Sequence, residues 1–168
     1  IFSISICINF FIGKIFSFKN ILANKKLKKI LLFLGVTFNL FLLFIFKYYN
    51  FFSQNISNLS INLPYINLLL PIGISFYTFQ QIGYLLYVFK VNDKKYDFIE
   101  YALFVSFFPQ LIAGPIVKFP DFIDQVKKNT QNLFNKHYYS TGIIIFIFGL
   151  FKKIVIADFL SRYVQFFY

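Results

Sequence analysis

The stretch ILLFLGVTFNLFLLFIFKYYNFF, residues 30–52, holds one charged side chain in 23 residues. As a helix rising about 1.5 Å per residue it covers about 34 Å, enough to cross a hydrocarbon core with some tilt. Lys47 and the tyrosines after it suit an interface, where a lysine can extend its stem through apolar surroundings and keep its ammonium wet. The rest of the chain has the same character. Hydrophobic residues make up 58% and charged residues 14%, against about a quarter charged in a soluble domain. Too little polar surface is left to face water all round.

The net charge of +11 does not point to nucleic acid. The lysines sit at the ends of apolar runs, as in KNILANKKLKK (19–29), and are not interleaved with aromatics on a polar face. Such clusters set topology and meet anionic lipid on the cytoplasmic side. The 19–29 loop is therefore expected inside and the polar SQNISNLSINLPY (53–65) outside. Cys7, the single thiol, is expected to be buried and inert. The chain has no methionine and begins at Ile1 with an apolar run of 12 residues, where a span takes about 20. The expectation is an internal fragment, residues 1–168 of one domain truncated at both ends.

The most unusual segment is FFPQLIAGPIVKFPDF, residues 107–122. Pro109 lacks an N–H and crowds the turn before it, and Pro115 pushes Gly114 away from helical geometry. A helix cannot run smoothly through it. Backbone groups left unpaired in hydrocarbon cost several kcal/mol each, on the order of a lost hydrogen bond or more. The segment is therefore expected to shelter inside protein or to line a wet cavity, as a re-entrant or broken helix flanking Gln110. The fold class expected is all-α: a polytopic integral membrane protein fragment with such a segment.

Around that break the elements are legible. LLLPIGISFYTFQQIGYLLYVFK, Leu68 to Lys90, reads as a helix whose Gly73, Tyr77, Gln80, Tyr84 and Tyr87 share one stripe. The stripe suits interhelical hydrogen bonding and a substrate wall equally, since it holds no acid, base or nucleophile. Asp97 followed by Glu100 reads as a capping box, which makes Glu100 a cap and not a catalytic carboxylate. FPDFIDQVKK (119–128) restarts a helix with Pro120 and two acids early and lysines late. Its apolar side, Phe119, Phe122, Ile123 and Val126, is expected on the membrane surface. Lys152 and Lys153 should end a helix near Phe151 and begin a shorter element, because a buried pair costs about 2.5–3.5 kcal/mol each. His137, the single histidine, is expected in a solvated loop, with no ligand set for a metal around it. No phosphate loop, CxxC or GxSxG is present.

LPIGISFYTFQQIGYLLYVFK (70–90), DFIEYALFVSFFPQLIAGPIVKFPDFIDQ (97–125) and GLFKKIVIADFL (149–160) resemble membrane-bound O-acyltransferases, the alginate O-acetyltransferase branch. The resemblance implies a multi-pass enzyme of the bacterial inner membrane. Its acyl donor would be cytoplasmic acetyl-CoA, with no bound cofactor. Its acceptor would be an extracytoplasmic polysaccharide or peptidoglycan, reached through a periplasmic acetyltransferase partner, with membrane lipids around it and no nucleic acid. D-alanyl transfer to teichoic acid is the less similar branch. Two departures stand out. Tyr87 occupies a position where the family has Asp, and the family's catalytic histidine is expected beyond residue 168, since His137 does not match it. No catalytic residue is therefore expected here, and the 168 residues alone should be inactive. The expected tunnel wall is Tyr77, Gln80, Gln110, Gly114 and Pro115. A transporter or channel module, or a non-catalytic remnant, are the alternatives; the first predicts intramembrane acids or an inverted repeat, and neither is seen.

Overall fold

The computed structural model describes residues 1–18, 24–57, 64–91, 96–111, 114, 117–129 and 136–167, and every regular element among them is helical. It divides into two compact units, Ile1–Gln125 and Val126–Tyr168.

In the first unit, α1 (Phe2–Ile15) is followed by α2 (Lys25–Leu43), whose cap Asn24 accepts from the Leu27 N–H at 3.1 Å. A π-helical turn, Phe44–Tyr48, carries α2 into α3 (Tyr49–Ser57). The run Lys25–Ile56 is, among the described residues, the one helix long and apolar enough to cross a membrane. It contains the expected 30–52 span and begins five residues earlier, so the lysines at 25–29 form its first turns and not a loop. Residues 58–63 and 19–23, part of the two expected loops, lie outside the described residues. The extra residue of a π turn shifts the helical phase. Here it aims Lys47 at the neighbouring helix, where its ammonium donates to Ser75 Oγ at 3.0 Å.

The helix expected from Leu68 begins instead at Ile74 and runs to Lys90 as α4. Pro71 disfavours helical geometry at Leu70, and Gly73 turns the chain with φ of 72°. The irregular backbone before it is held by Asn50, which donates to the Ile66 carbonyl at 2.8 Å and accepts from the Ile66 N–H at 3.2 Å. A side-chain amide thus completes what a helix would otherwise have completed.

α4 is the hub, packed by α1, by α2 and by α5 (Phe98–Ser106). Its contact with α1 and α2 is polar at the centre. Asn9 and Asn39 exchange amide hydrogen bonds at 3.1 and 2.6 Å, Asn9 donates to Gln81 Oε1 at 2.8 Å, and Ser5 donates to the same oxygen at 2.6 Å. All four residues are buried. Small residues let the helices close on this node: a Cβ at Gly13 would lie 2.7 Å from the Tyr84 ring, and one at Gly35 2.8 Å from Leu85. Lys28, also buried, donates to the last-turn carbonyl of Phe89 at 2.6 Å with its ammonium 4.9 Å from that residue's ring. A cation at a helix C-terminus meets both an orphan carbonyl and the favourable end of the dipole.

Replacing Asn9 by leucine removes the partner of Asn39 Oδ1 and one of the two donors to Gln81 Oε1. It is expected to weaken helix association by about 1–3 kcal/mol, read as a lower melting temperature in detergent. Replacing Asn9 and Asn39 together by leucine should cost less than the sum of the single changes.

The second unit contains α8 (Lys136–Phe151), a second π-helical segment (Lys152–Ala157) and α9 (Asp158–Phe167). The α-helix ends at Phe151 as the lysine pair suggested, but no separate element begins. The rod continues through the π segment, in which the Asp158 N–H bonds to the Lys153 carbonyl five residues back. That winding also sets Lys153 and Asp158 on one side, where they pair at 2.7 Å. His137 lies in the first turn of α8 and not in a loop. Ile145, Phe146 and Phe159 are exposed within this unit, as in a helix whose surroundings are lipid or other protein.

Candidate functional site

α5 opens on the capping box that Asp97 and Glu100 predict, with the Asp97 N–H donating to Glu100 Oε2 at 3.3 Å. It ends at Ser106, whose hydroxyl donates to the Ala102 carbonyl at 2.6 Å. Such back-bonding loosens a helix at its end. Phe107 is extended, with ψ of 95°, and a single turn, α6 (Phe108–Leu111), follows. The break thus falls two residues ahead of Pro109. With no N–H at 109, no bond can reach back to Val105, while early in a new turn the missing donor costs nothing. The new turn is closed by the Gln110 N–H on the Phe107 carbonyl at 3.1 Å.

α6 packs against α4 on one side. Phe108 on its other side is 78% exposed, so the shelter expected for the broken segment is one-sided among the described residues. Gln110 is half-buried, and its Oε1 is enclosed with no partner among them. Gly114 sits directly over this turn: a Cβ there would stand 2.5 Å from Gln110 Cα and 3.1 Å from the Pro109 carbonyl oxygen. Glycine is required by that close approach. Pro115, the remaining expected wall residue of the segment, lies outside the described residues.

Beyond the break, α7 (Phe119–Asn129) carries the apolar side expected to lie on lipid. Phe119, Phe122 and Ile123 are instead buried in protein, while Val126 is half-buried. Phe119 is the centre of an aromatic cluster, its ring 4.9 Å from Tyr84, 4.8 Å from Tyr96 and 5.2 Å from Phe104. Edge-to-face pairs of this kind add to the gain from burial alone. The reason for the difference is length: the 11-residue helix restarts immediately beside α4 and α5, and protein reaches its apolar face before lipid can.

Among the described residues, two cavities lie along the middle and end of α4. One, of about 330 Å³, runs along Gln80, Gly83, Tyr87 and Lys90 and is closed by Phe104 and the start of α7, with Lys118 beside Phe119. Gln80 is 5% exposed, and its Oε1 has no partner among the described residues. Lys90 and Lys118 are exposed and give the rim a positive charge. The other, of about 420 Å³, lies between the end of α1, α4 and the start of α5. The wall between them includes Tyr87 and Tyr96, whose hydroxyls are 2.8 Å apart in a hydrogen bond. Burial, and then that bond, push the Tyr96 phenol above its ordinary pKa.

Of the five expected wall residues, Gln80 lines the first cavity. Tyr77 does not: it is buried in the α1 interface with its ring 4.9 Å from Phe2. Gln110 and Gly114 come together in the broken segment, which packs on α4 but does not line that cavity. Sequence reasoning missed Lys90, Lys118 and Phe119 as site residues. It also missed Gln81, whose signal was visible as a polar residue embedded, like Ser5, Asn9 and Asn39, in a largely apolar helix. Among the described residues no group of three His, Cys, Asp or Glu side chains is placed to hold a metal.

The described residues thus form an apolar helical bundle, with one helix long and apolar enough to cross a membrane and another interrupted at Phe107 beside a mostly apolar cavity. The profile of the membrane-bound O-acyltransferase family matches residues 6–168, and the chain belongs to that family. It is 37% identical to a peptidoglycan O-acetyltransferase of Helicobacter pylori, over 83% of this chain and 31% of that protein. It is 38% identical to a protein named "Probable alginate O-acetylase" of Pseudomonas aeruginosa, over 77% of this chain and 26% of that protein. The corresponding protein of Pseudomonas syringae pv. tomato is 42% identical, over 77% and 26%. The chain thus spans about a third or less of the length of these relatives. No solved structure matches it.

Proposed function

We propose that these residues belong to a multi-pass O-acetyltransferase of the bacterial inner membrane. It takes an acetyl group from cytoplasmic acetyl-CoA and delivers it to an extracytoplasmic polysaccharide or peptidoglycan, with a periplasmic acetyltransferase as partner. The observation that carries this reading is the family match over residues 6–168, with relatives named for O-acetylation of both polymers. In the reaction an acceptor hydroxyl oxygen attacks the thioester carbonyl, the C–S bond breaks, and the thiol leaves. The hydroxyl proton must pass to a general base. The role we assign to these 168 residues is the wall of the route, not the base.

The cavity beside α4 has the chemistry for the donor arm. Lys90 and Lys118 at its rim suit phosphate oxygens, and the buried Gln80 amide offers hydrogen bonds to a polar group in an apolar slot. The broken segment on the same helix places Gln110, whose enclosed Oε1 has no partner among the described residues, and we assign that amide to the wall of the route in the full-length enzyme. In the full-length enzyme, Gln110→Leu is expected to lower acetylation about tenfold, a loss of about 1.4 kcal/mol in the transition state. Its level in the membrane and its melting temperature should stay unchanged. Polymer-bound acetate measured in cells expressing the variant tests this, and undiminished acetylation would retire the role of Gln110.

A further inference from the structure

The second cavity is separate from the one assigned to the donor, and its lining has a different character. It holds about 420 Å³ between the last turn of α1, the Tyr84–Val88 face of α4 and the opening of α5. Apolar rings occupy one part: Phe10 and Phe98 pack edge to face at 5.2 Å. Opposite charges occupy another. Lys14 on α1 and Asp97 at the cap of α5 both line the cavity, and no ion pair joins them. Two opposite charges facing one space without meeting leave room for a molecule that carries both.

The geometry points to a phospholipid site that selects a zwitterionic, phosphoethanolamine-type headgroup. The lipid phosphate takes the Lys14 ammonium, the lipid's primary ammonium takes the Asp97 carboxylate, and an acyl chain lies along Phe10 and Phe98. Lysines at 25, 26 and 29 in the first turns of α2 and Lys90 at the end of α4 lie at one end of the bundle, where the Lys28–Phe89 bond joins the two helices, and such a cluster suits a membrane–water interface. Such a positive surface by itself would attract any anionic lipid. Asp97 is what changes the preference, since it repels a second negative charge and accepts hydrogen bonds from a primary ammonium. A trimethylammonium head has no N–H to give it. The inference rests on the chain's membrane location and not on the acetyl-transfer reading.

The test uses the full-length gene product, purified in detergent and mixed with phosphatidylethanolamine, phosphatidylcholine or phosphatidylglycerol of matched chains, with retained lipid counted by native mass spectrometry. Phosphatidylethanolamine is expected to be retained about tenfold more tightly than either other lipid, equivalent to about 1.4 kcal/mol. Asp97→Asn keeps a good helix cap and should erase the preference over phosphatidylcholine. Lys14→Gln, on an exposed side chain, should weaken retention of all three. Equal retention of the choline lipid by the unaltered protein would mean recognition by ring faces and would overturn the proposal. Preference for phosphatidylglycerol, or variants that retain lipid as the parent does, would overturn it as well.

Discussion

Phe119→Ala is expected to release the segment that follows the break and to lower stability by about 3–5 kcal/mol, the range for truncating a buried aromatic. Phe119 is 2% exposed, and its ring meets rings from both helices it joins, Tyr84 and Tyr87 on α4 and Tyr101 and Phe104 on α5. Removing it empties the middle of the cluster. A lower melting temperature and faster proteolysis between residues 111 and 130 should both follow. Phe119→Leu fills most of the volume and should lose well under half as much. An alanine variant as stable as the parent would mean that α7 is held by something other than this ring.

Gly114→Ala is expected to act on function more than on folding. The added Cβ would meet main-chain and near-main-chain atoms of the preceding turn, Gln110 Cα at 2.5 Å and Cβ at 3.1 Å. These cannot swing aside as the tip of a long side chain can, so α6 itself must shift. Overpacking of this kind costs about 1–3 kcal/mol. Because the displaced turn carries Gln110, acetylation by the full-length enzyme should fall by about tenfold or more. Gly142→Ala is the control. Nothing lies within 4 Å of its Cβ position in α8, and alanine there should be neutral or stabilise the helix by a few tenths to about 1 kcal/mol. Equal effects at 114 and 142 would remove the special role of the tight turn.

What was legible in the sequence followed from short-range rules. The capping box at Asp97, the restart of a helix at Phe119 and the interruption before Pro109 are each dictated by a few neighbouring residues, and each is found. The 30–52 span was legible because length and apolarity suffice. Less visible were features decided by partners distant in sequence. α4 starts at Ile74 and not at Leu68, after the Pro71–Gly73 turn, and the irregular segment before it takes hydrogen bonds from Asn50 on another helix. The apolar side of α7 met α4 and α5 and not lipid. Tyr77 and Gln80 share a helical stripe, yet one faces α1 and the other a cavity, a distinction set by which neighbour lies opposite. The two π-helical segments have no sequence signature of their own; each occurs at a lysine that gains an oxygen partner through the altered winding, Lys47 with Ser75 and Lys153 with Asp158.

The broken segment rests against α4 and is expected to border the route proposed for the acetyl donor. Cysteine scanning of residues 105–111 in the full-length enzyme, with Cys7 replaced by alanine, tests this most directly. Gln110→Cys should react with a water-soluble methanethiosulfonate, acetyl-CoA should slow that reaction, and reactivity should lose its helical period at Phe107. A continuous 3.6-residue period through Pro109, with labelling only by a bilayer-confined reagent and no protection by acetyl-CoA, would contradict it.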